Sequence, residues 1–407
     1  MSYISARDTI VAFRREPVSP ALPSVEQAVR SSQPSEPMYC LRPAVIRDTA
    51  ARFAQDFRGD TLYAVKCNPE PTVLRAIWDG GVRHFDCASA GEVALVRSMF
   101  PDAHIHFMHP VKSRRAIREA YGRFGVRDFV LDSAAEFAKI MDETGYAEDL
   151  GLVVRIGLPP GGAMYDLSGK FGAGMEETVA LLRAARPVAR RLGVSFHVGS
   201  QCMDPLAYRR ALQMAGEAIR LAGVAIDIID VGGGFPVSYP DVEPPPLGAF
   251  FAEIEGALDA LNLPAARLWA EPGRALVAAG ASVVVQVQMR RGDALYVNDG
   301  IYGSLSDAGA PGFRFPVRRV LDVSEGDADL RAYSFFGPTC DSADHMKGPF
   351  MLPPDMAEGD WIEIGQLGAY GVCLGTDFNG FDRAQLLQVR DAPMLETPGH
   401  EPIRLAA

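Results

Sequence analysis

The sequence predicts an α/β chain in which a (β/α)8 barrel is followed by a C-terminal antiparallel β domain. Three observations point there. Eight short β-branched or aromatic runs alternate with longer amphipathic stretches through residue 277, the alternation that builds parallel βα units and, at eight repeats, closes a barrel over roughly 250 residues. From residue 278 onward strand-like runs follow one another with only Gly, Pro and Asp turns between them, as in an antiparallel sheet. The glycine cluster follows the seventh strand, whereas an open doubly wound sheet carries its glycine fingerprint after the first.

Taken in order, residues 1–37 are rich in Ser, Pro and Glu and read as a loosely ordered lead-in. Met38–Leu41 reads as a strand joining the β domain. The expected division is therefore 1–40, then a barrel over 41–277, then a β domain over 278–407. Barrel strands are expected at 62–66, 83–87, 104–108, 127–131, 151–156, 194–198, 226–231 and 267–271. Helical patterns fill Ala90–Met99, Ser133–Thr144, Met175–Leu192 and Pro205–Ala222, with Ser89 and Ser133 where N-caps belong. The later strands are Ser282–Met289, Leu295–Asn298, Val317–Val323, Ala332–Phe336, Asp360–Ile364 and Leu386–Arg390.

Composition narrows the function classes. A net charge of −11 argues against nucleic acid or an anionic membrane as partner and mildly favours a cationic small molecule. No stretch approaches the roughly 20 apolar residues of a membrane span, and the N-terminus lacks a secretory pattern. The six cysteines contain no Cys-x-x-Cys pair, so free thiols in a reducing cytoplasm are expected. No metal motif occurs among the seven histidines.

The positions of polar residues carry the chemistry. Lysine is scarce, with five in the chain against 40 basic residues in all, yet Lys66 ends a buried strand. An amine in an apolar site loses proton affinity and becomes a nucleophile for carbonyls; the plain alternative is a lysine reaching to solvent. The other strand ends give Asp86, His109, Asp132, Arg155, His197, Gly232-Gly233-Gly234 and Glu271. Barrel active sites lie at this end of the strands, so a ring of such residues converges on one mouth.

Three glycines after a strand let backbone N–H groups cradle a phosphate, and in Glu271-Pro272-Gly273-Arg274 the arginine offers a fork for phosphate oxygens. A mutual surface ion pair is the plain reading of Glu271 and Arg274. A lysine, a phosphate cradle and a strand-end carboxylate on one mouth suggest pyridoxal 5′-phosphate. Its aldehyde would couple to Lys66, its phosphate would rest on Gly232–Gly234 and Gly273-Arg274, and its ring nitrogen would pair with Glu271. His197 would lie on the ring face, unless it is a hydrogen-bonded structural histidine.

Seven motifs in order then make the chain similar to a known group: Tyr63-Ala64-Val65-Lys66-Cys67-Asn68, Phe85-Asp86-Cys87-Ala88-Ser89, His197-Val198-Gly199-Ser200, Gly232-Gly233-Gly234-Phe235-Pro236, Glu271-Pro272-Gly273-Arg274, Gly337-Pro338-Thr339-Cys340-Asp341 and Gly368-Ala369-Tyr370. From about residue 38 to 390 it resembles the fold-type III, alanine-racemase-like pyridoxal phosphate enzymes of the ornithine/diaminopimelate/arginine decarboxylase family. The resemblance implies that Lys66 anchors the cofactor, that Asp86, Arg155, His197 and Glu271 surround its ring, and that Ser200, Gly234, Gly273, Arg274 and Tyr370 hold its phosphate. It implies that Cys340 protonates the substrate α-carbon. It implies, too, that Cys340 and Asp341 reach the site from the partner subunit of a head-to-tail homodimer. Candidate substrate contacts are Asp341, Asp307, Tyr302 and Phe378. The implied activity is decarboxylation of a basic L-amino acid, foremost L-ornithine to putrescine in polyamine biosynthesis.

One stretch departs from that pattern. Ornithine enzymes carry a Tyr-Asp pair a few residues after Tyr-Gly-Ser; here Tyr302-Gly303-Ser304 is followed by Leu305-Ser306-Asp307 and, later, Arg314. Asp307 is the candidate replacement, with Arg314 nearby to repel an ammonium. Lysine, arginine and diaminopimelate therefore stay open as substrates. An amino-acid racemase and a non-catalytic regulator of polyamine metabolism are the remaining alternatives.

Overall fold

A computed structural model describes residues 22–159, 163–165, 169–263, 265–321 and 330–400. In chain order the strands are β1 (Met38–Leu41), β2 (Asp60–Ala64), β3 (His84–Cys87), β4 (His104–Phe107), β5 (Asp128–Leu131), β6 (Gly151–Arg155), β7 (Ala163–Tyr165), β8 (Arg191–Ser195) and β9 (Ser200–Cys202). There follow β10 (Ile228–Asp230), β11 (Arg267–Ala270), β12 (Ala281–Arg291), β13 (Ala294–Val297), β14 (Val317–Arg319), β15 (Arg331–Phe336), β16 (His345–Leu352), β17 (Trp361–Ile364) and β18 (Gln385–Gln388). Among the described residues a closed parallel barrel forms in the order β10-β11-β2-β3-β4-β5-β6-β8. The short β7 and β9 pair with each other above it.

The second sheet is mostly antiparallel. β1 joins it, antiparallel to β12 and parallel to β18, and β13 runs parallel to β15. β16 is missing from the sequence expectation because Gly348-Pro349 inside it reads as a turn. The Val317–Val323 run yields β14 over Val317–Arg319, and residues 322 and 323 lie outside the described residues.

Local chemistry explains most element boundaries. The Ser89 and Ser133 hydroxyls accept the N–H groups of Glu92 and Glu136, capping two helices. The helix expected over Met175–Leu192 ends at Ala185. Pro187 cannot continue it, since its ring removes an N–H and clashes with the preceding turn. That frees Arg191 to open β8, three residues before the expected strand. No helix among the described residues is long and apolar enough to cross a membrane.

Leu62, Met108, Val130, Val153, Ile228 and Trp269 fill the barrel interior. Below them, at the N-terminal ends of the strands, lies a histidine network. His106 Nε2 is 2.9 Å from His84 Nδ1, and His106 Nδ1 is 3.0 Å from the Asp128 carboxylate. Burial, then the neighbouring His106, His104 and Arg267, lowers the His84 pKa from 6.5 to about 3. The unfolded chain protonates His84 below pH 6.5 while the folded chain does not, so this contribution to stability is full above 6.5 and is lost as pH falls. His84→Gln is expected to remove on the order of 3 kcal/mol of that loss by about pH 4. Thermal melts of both proteins across that range check it; parallel curves would exclude His84 as the source.

The two sheets meet beside the barrel mouth. Arg42, buried, donates to Glu363 Oε1 at 2.7 Å and Ser282 Oγ at 2.8 Å. Asn68 Nδ2 donates to Gly368 O at 2.8 Å, and the Tyr370 N–H donates to Cys67 O at 3.0 Å. The turn carrying Lys66 is thus clasped by the second sheet.

Candidate active site

β2 ends at Ala64, and Lys66 stands in the one-turn 3-10 helix Val65–Cys67 just beyond it. Its side chain is 42% exposed, and Nζ lies 3.0 Å from Asp86 Oδ2 on β3. The surroundings are acid-lined rather than apolar, which corrects the expectation of a deprotonated amine. Burial pulls the Lys66 ammonium down, but the Asp86 carboxylate, with Tyr370 and Glu271, outweighs it and holds the pKa above its ordinary value.

The acids behind it are short of positive charge. Glu271 follows β11 directly and is buried. Burial, then the Asp230 and Asp86 carboxylates, holds its carboxyl well above the usual range. Asp230 ends β10, is fully buried and is pushed up to about 6, first by burial. Asp86 Oδ1 is buried without a hydrogen-bond partner, and the Asp230 and Glu271 carboxyls crowd each other closely enough to share a hydrogen bond. Asp230 is a residue that sequence reasoning passed over, although it ends its strand as Glu271 follows the next.

The glycine loop is shaped by contact. Asp230 Oδ1 accepts the Gly232 N–H at 2.9 Å. Gly232 (φ +67°) and Gly234 (φ +101°) adopt left-handed backbone, and a Cβ at either would fall 2.2 or 2.3 Å from the carbonyl oxygens of Phe196 and Gly199. His197 borders the loop: a Cβ on Gly233 would sit 3.2 Å from its Nε2. Its Nδ1 accepts the Gly199 N–H at 3.0 Å, which places the ring proton on Nε2. Burial, then the Arg155 and Lys66 cations, keeps this imidazole well below its ordinary pKa and neutral. Arg155 ends β6, with its guanidinium carbon 5.8 Å from the Phe171 ring centre. Ser200 opens β9 beside His197 in the chain.

Arg274 opens the turn after Gly273 and is buried. Its Nη1 donates to the Tyr239 hydroxyl and its Nη2 to Asp307 Oδ2, both at 2.8 Å. The guanidinium lies over Phe313 at 4.8 Å and Tyr370 at 5.1 Å, and Nε is buried with no partner. Asp307, the candidate for a substrate ammonium, is engaged here by Arg274. Arg314 is likewise occupied, 2.6 Å from Asp241.

Cys340, Asp341, Tyr302 and Phe378 form a separate, more open group. The Tyr302 hydroxyl donates to Asp341 Oδ2, and its ring lies 4.9 Å from Phe378. The Cys340 N–H and Sγ reach Asn379 Oδ1 at 3.2 and 3.3 Å; no sequence signal singles out Asn379. The Ala343 N–H and the Tyr302 hydroxyl hold the Asp341 carboxyl below its usual range. Buried Asp344 fastens this loop, accepting from the Thr339 N–H and hydroxyl and from the Ile301 N–H. Among the described residues no hydrogen bond or ion pair joins this group to Lys66.

A lysine ion-paired to Asp86, crowded buried acids and a buried arginine N–H without a partner stand with a glycine loop after the barrel strands, a set that suits a phosphorylated aldehyde with a basic ring. The chain belongs to the pyridoxal-dependent decarboxylases: residues 44–278 match the family's pyridoxal-binding domain. It is 32% identical to the lysine/ornithine decarboxylase of Selenomonas ruminantium, over 83% of this chain and 85% of that one. It is 34% identical to the ornithine decarboxylase of Panagrellus redivivus, over 79% and 78%. The crystal structure of the Paramecium bursaria Chlorella virus arginine decarboxylase bound to agmatine superposes with a TM-score of 0.80 at 28% identity, covering 90% of this chain and 99% of that one. Pyridoxal phosphate is the cofactor, and the residues present fit it. Unpaired Asp86 Oδ1 and the crowded Asp230–Glu271 carboxyl pair mark acid that a protonated ring nitrogen would balance, and Arg274 Nε, buried without a partner, offers an N–H to phosphate.

Proposed function

We propose that this enzyme decarboxylates a basic L-amino acid, with L-ornithine, giving putrescine for polyamine biosynthesis, as the leading substrate. The observation that carries the reading is the Cys340–Asp341 pair: a thiol beside a carboxylate kept ionised by Ala343 and Tyr302. Asp341 would take the distal ammonium and Phe378 would flank the substrate's methylenes. The names of the relatives, spanning lysine, ornithine and arginine decarboxylases, support the same class.

The roles proposed are those the family resemblance implies, and the geometry is compatible with them. Lys66 anchors the cofactor, and the glycine loop with Ser200, Gly273, Arg274 and Tyr370 receives its phosphate. Glu271, Asp86, Arg155 and neutral His197 orient its ring. The cofactor supplies a sink for the electron pair left when the Cα–carboxylate bond breaks. Asp341 orients that bond, placing binding energy where the transition state uses it. Cys340 returns a proton to the α-carbon. We assign the Cys340–Asp341 group to the partner's site in a homodimer, which accords with its exposure and with the exposed apolar Val372, Leu374, Phe378 and Phe381 around it. Free cysteines throughout the described residues suit a cytoplasmic enzyme.

Carbon dioxide release from ornithine, lysine, arginine and diaminopimelate tests the reading. Ornithine or lysine is expected to turn over fastest. Conversion of an L-amino acid to its D-form without carbon dioxide would favour a racemase instead.

A further inference from the structure

We infer that Asp307 is a positioning residue for the cofactor phosphate, acting through Arg274 rather than on the substrate. The inference rests on the assignment of Arg274 to that phosphate. Arg274 has three guanidinium nitrogens, and the fold engages two of them. Nη2 is held by Asp307 at 2.8 Å and Nη1 by the Tyr239 hydroxyl at 2.8 Å. Of its three nitrogens only Nε is buried with no hydrogen-bond partner among the described residues. Asp307 acts on the guanidinium twice. Its carboxylate fixes one edge, and its carbonyl accepts the Phe313 N–H at 2.9 Å, setting the ring that lies 4.8 Å from the guanidinium carbon. A rigid planar fork tethered at both Nη ends points its Nε N–H in one direction.

Charge separates this role from its rivals. Asp307 and Arg274 together are neutral, so Asp307 contributes placement and not attraction. Removing the side chain should misplace Nε, whereas an amide of the same shape can still accept from Nη2. The experiment titrates full-length apoenzyme with pyridoxal phosphate and, separately, with pyridoxal, which has no phosphate. Asp307→Ala is expected to weaken pyridoxal phosphate about 10- to 100-fold, the scale of one charge-assisted hydrogen bond, and to leave pyridoxal unchanged. Asp307→Asn is expected to restore most of that loss.

Two results would overturn the inference. One is unchanged cofactor affinity in Asp307→Ala with a raised KM for the amino acid, which would return Asp307 to the substrate. The other is equal loss for pyridoxal and pyridoxal phosphate. Arg274→Ala keeps the two assignments apart. If it does not lose preference for the phosphorylated form, the phosphate role of Arg274 itself fails. If it does lose that preference while Asp307→Ala keeps it, only the role given to Asp307 fails.

Discussion

Lys66→Ala is expected to lower carbon dioxide release by at least about 1,000-fold, since no other amine replaces the nucleophile. The ion pair with Asp86 gives this test a control. Lys66 is a cation as well as the proposed nucleophile, and its loss leaves buried Asp86 without the ion-pair partner it has at 3.0 Å. Lys66→Arg keeps the charge but offers a guanidinium that does not deprotonate. Both variants should be inactive, while the arginine form should melt closer to the wild type. Substantial turnover in Lys66→Arg would show that position 66 serves through charge alone and would overturn the anchoring role.

The second large effect concerns the exposed thiol. Cys340→Ala should lose about 100-fold or more in amine formation, the scale of a missing general acid. Mixing it with Lys66→Ala then asks where each site draws its residues. If Cys340 serves the partner's Lys66, a mixed dimer holds one doubly defective site and one intact site. Random exchange makes half the dimers mixed, so about a quarter of wild-type activity should return. Recovery would be absent if each site were built from one chain, because every site would then carry a defect. Size-exclusion chromatography of differently tagged variants establishes that exchange took place.

Much of this architecture was legible beforehand because barrel strands announce themselves twice, by apolar runs and by the polar residue that ends each one. Asp86, Arg155, His197 and Glu271 were singled out as candidates that way. Boundaries failed where one local signal was overridden: Pro187 stopped a helix whose apolar period ran on, and β16 absorbed a Gly-Pro step that reads as a turn. The site was least legible where partners come from distant segments. Nothing near Asp307 in the sequence announces Arg274, and the proton affinity of Lys66 depends on Asp86, Glu271 and Tyr370, which no local pattern brings together. An amine at a strand end looks apolar from its own strand; its charge balance is decided by three residues elsewhere in the chain.

The clasp on the Lys66 turn also has a consequence for how the enzyme is made. Asn68 waits for Gly368, its hydrogen-bond acceptor 300 residues later, and Tyr370 closes on Cys67 from the same strap. The barrel strands can pair as they emerge, but the cofactor pocket is completed only when nearly the whole chain has been synthesised. Contacts of such sequence separation form late and slowly. Cofactor capture should therefore report completed folding, and a nascent or truncated barrel should have no competent pocket with which to sequester a reactive aldehyde.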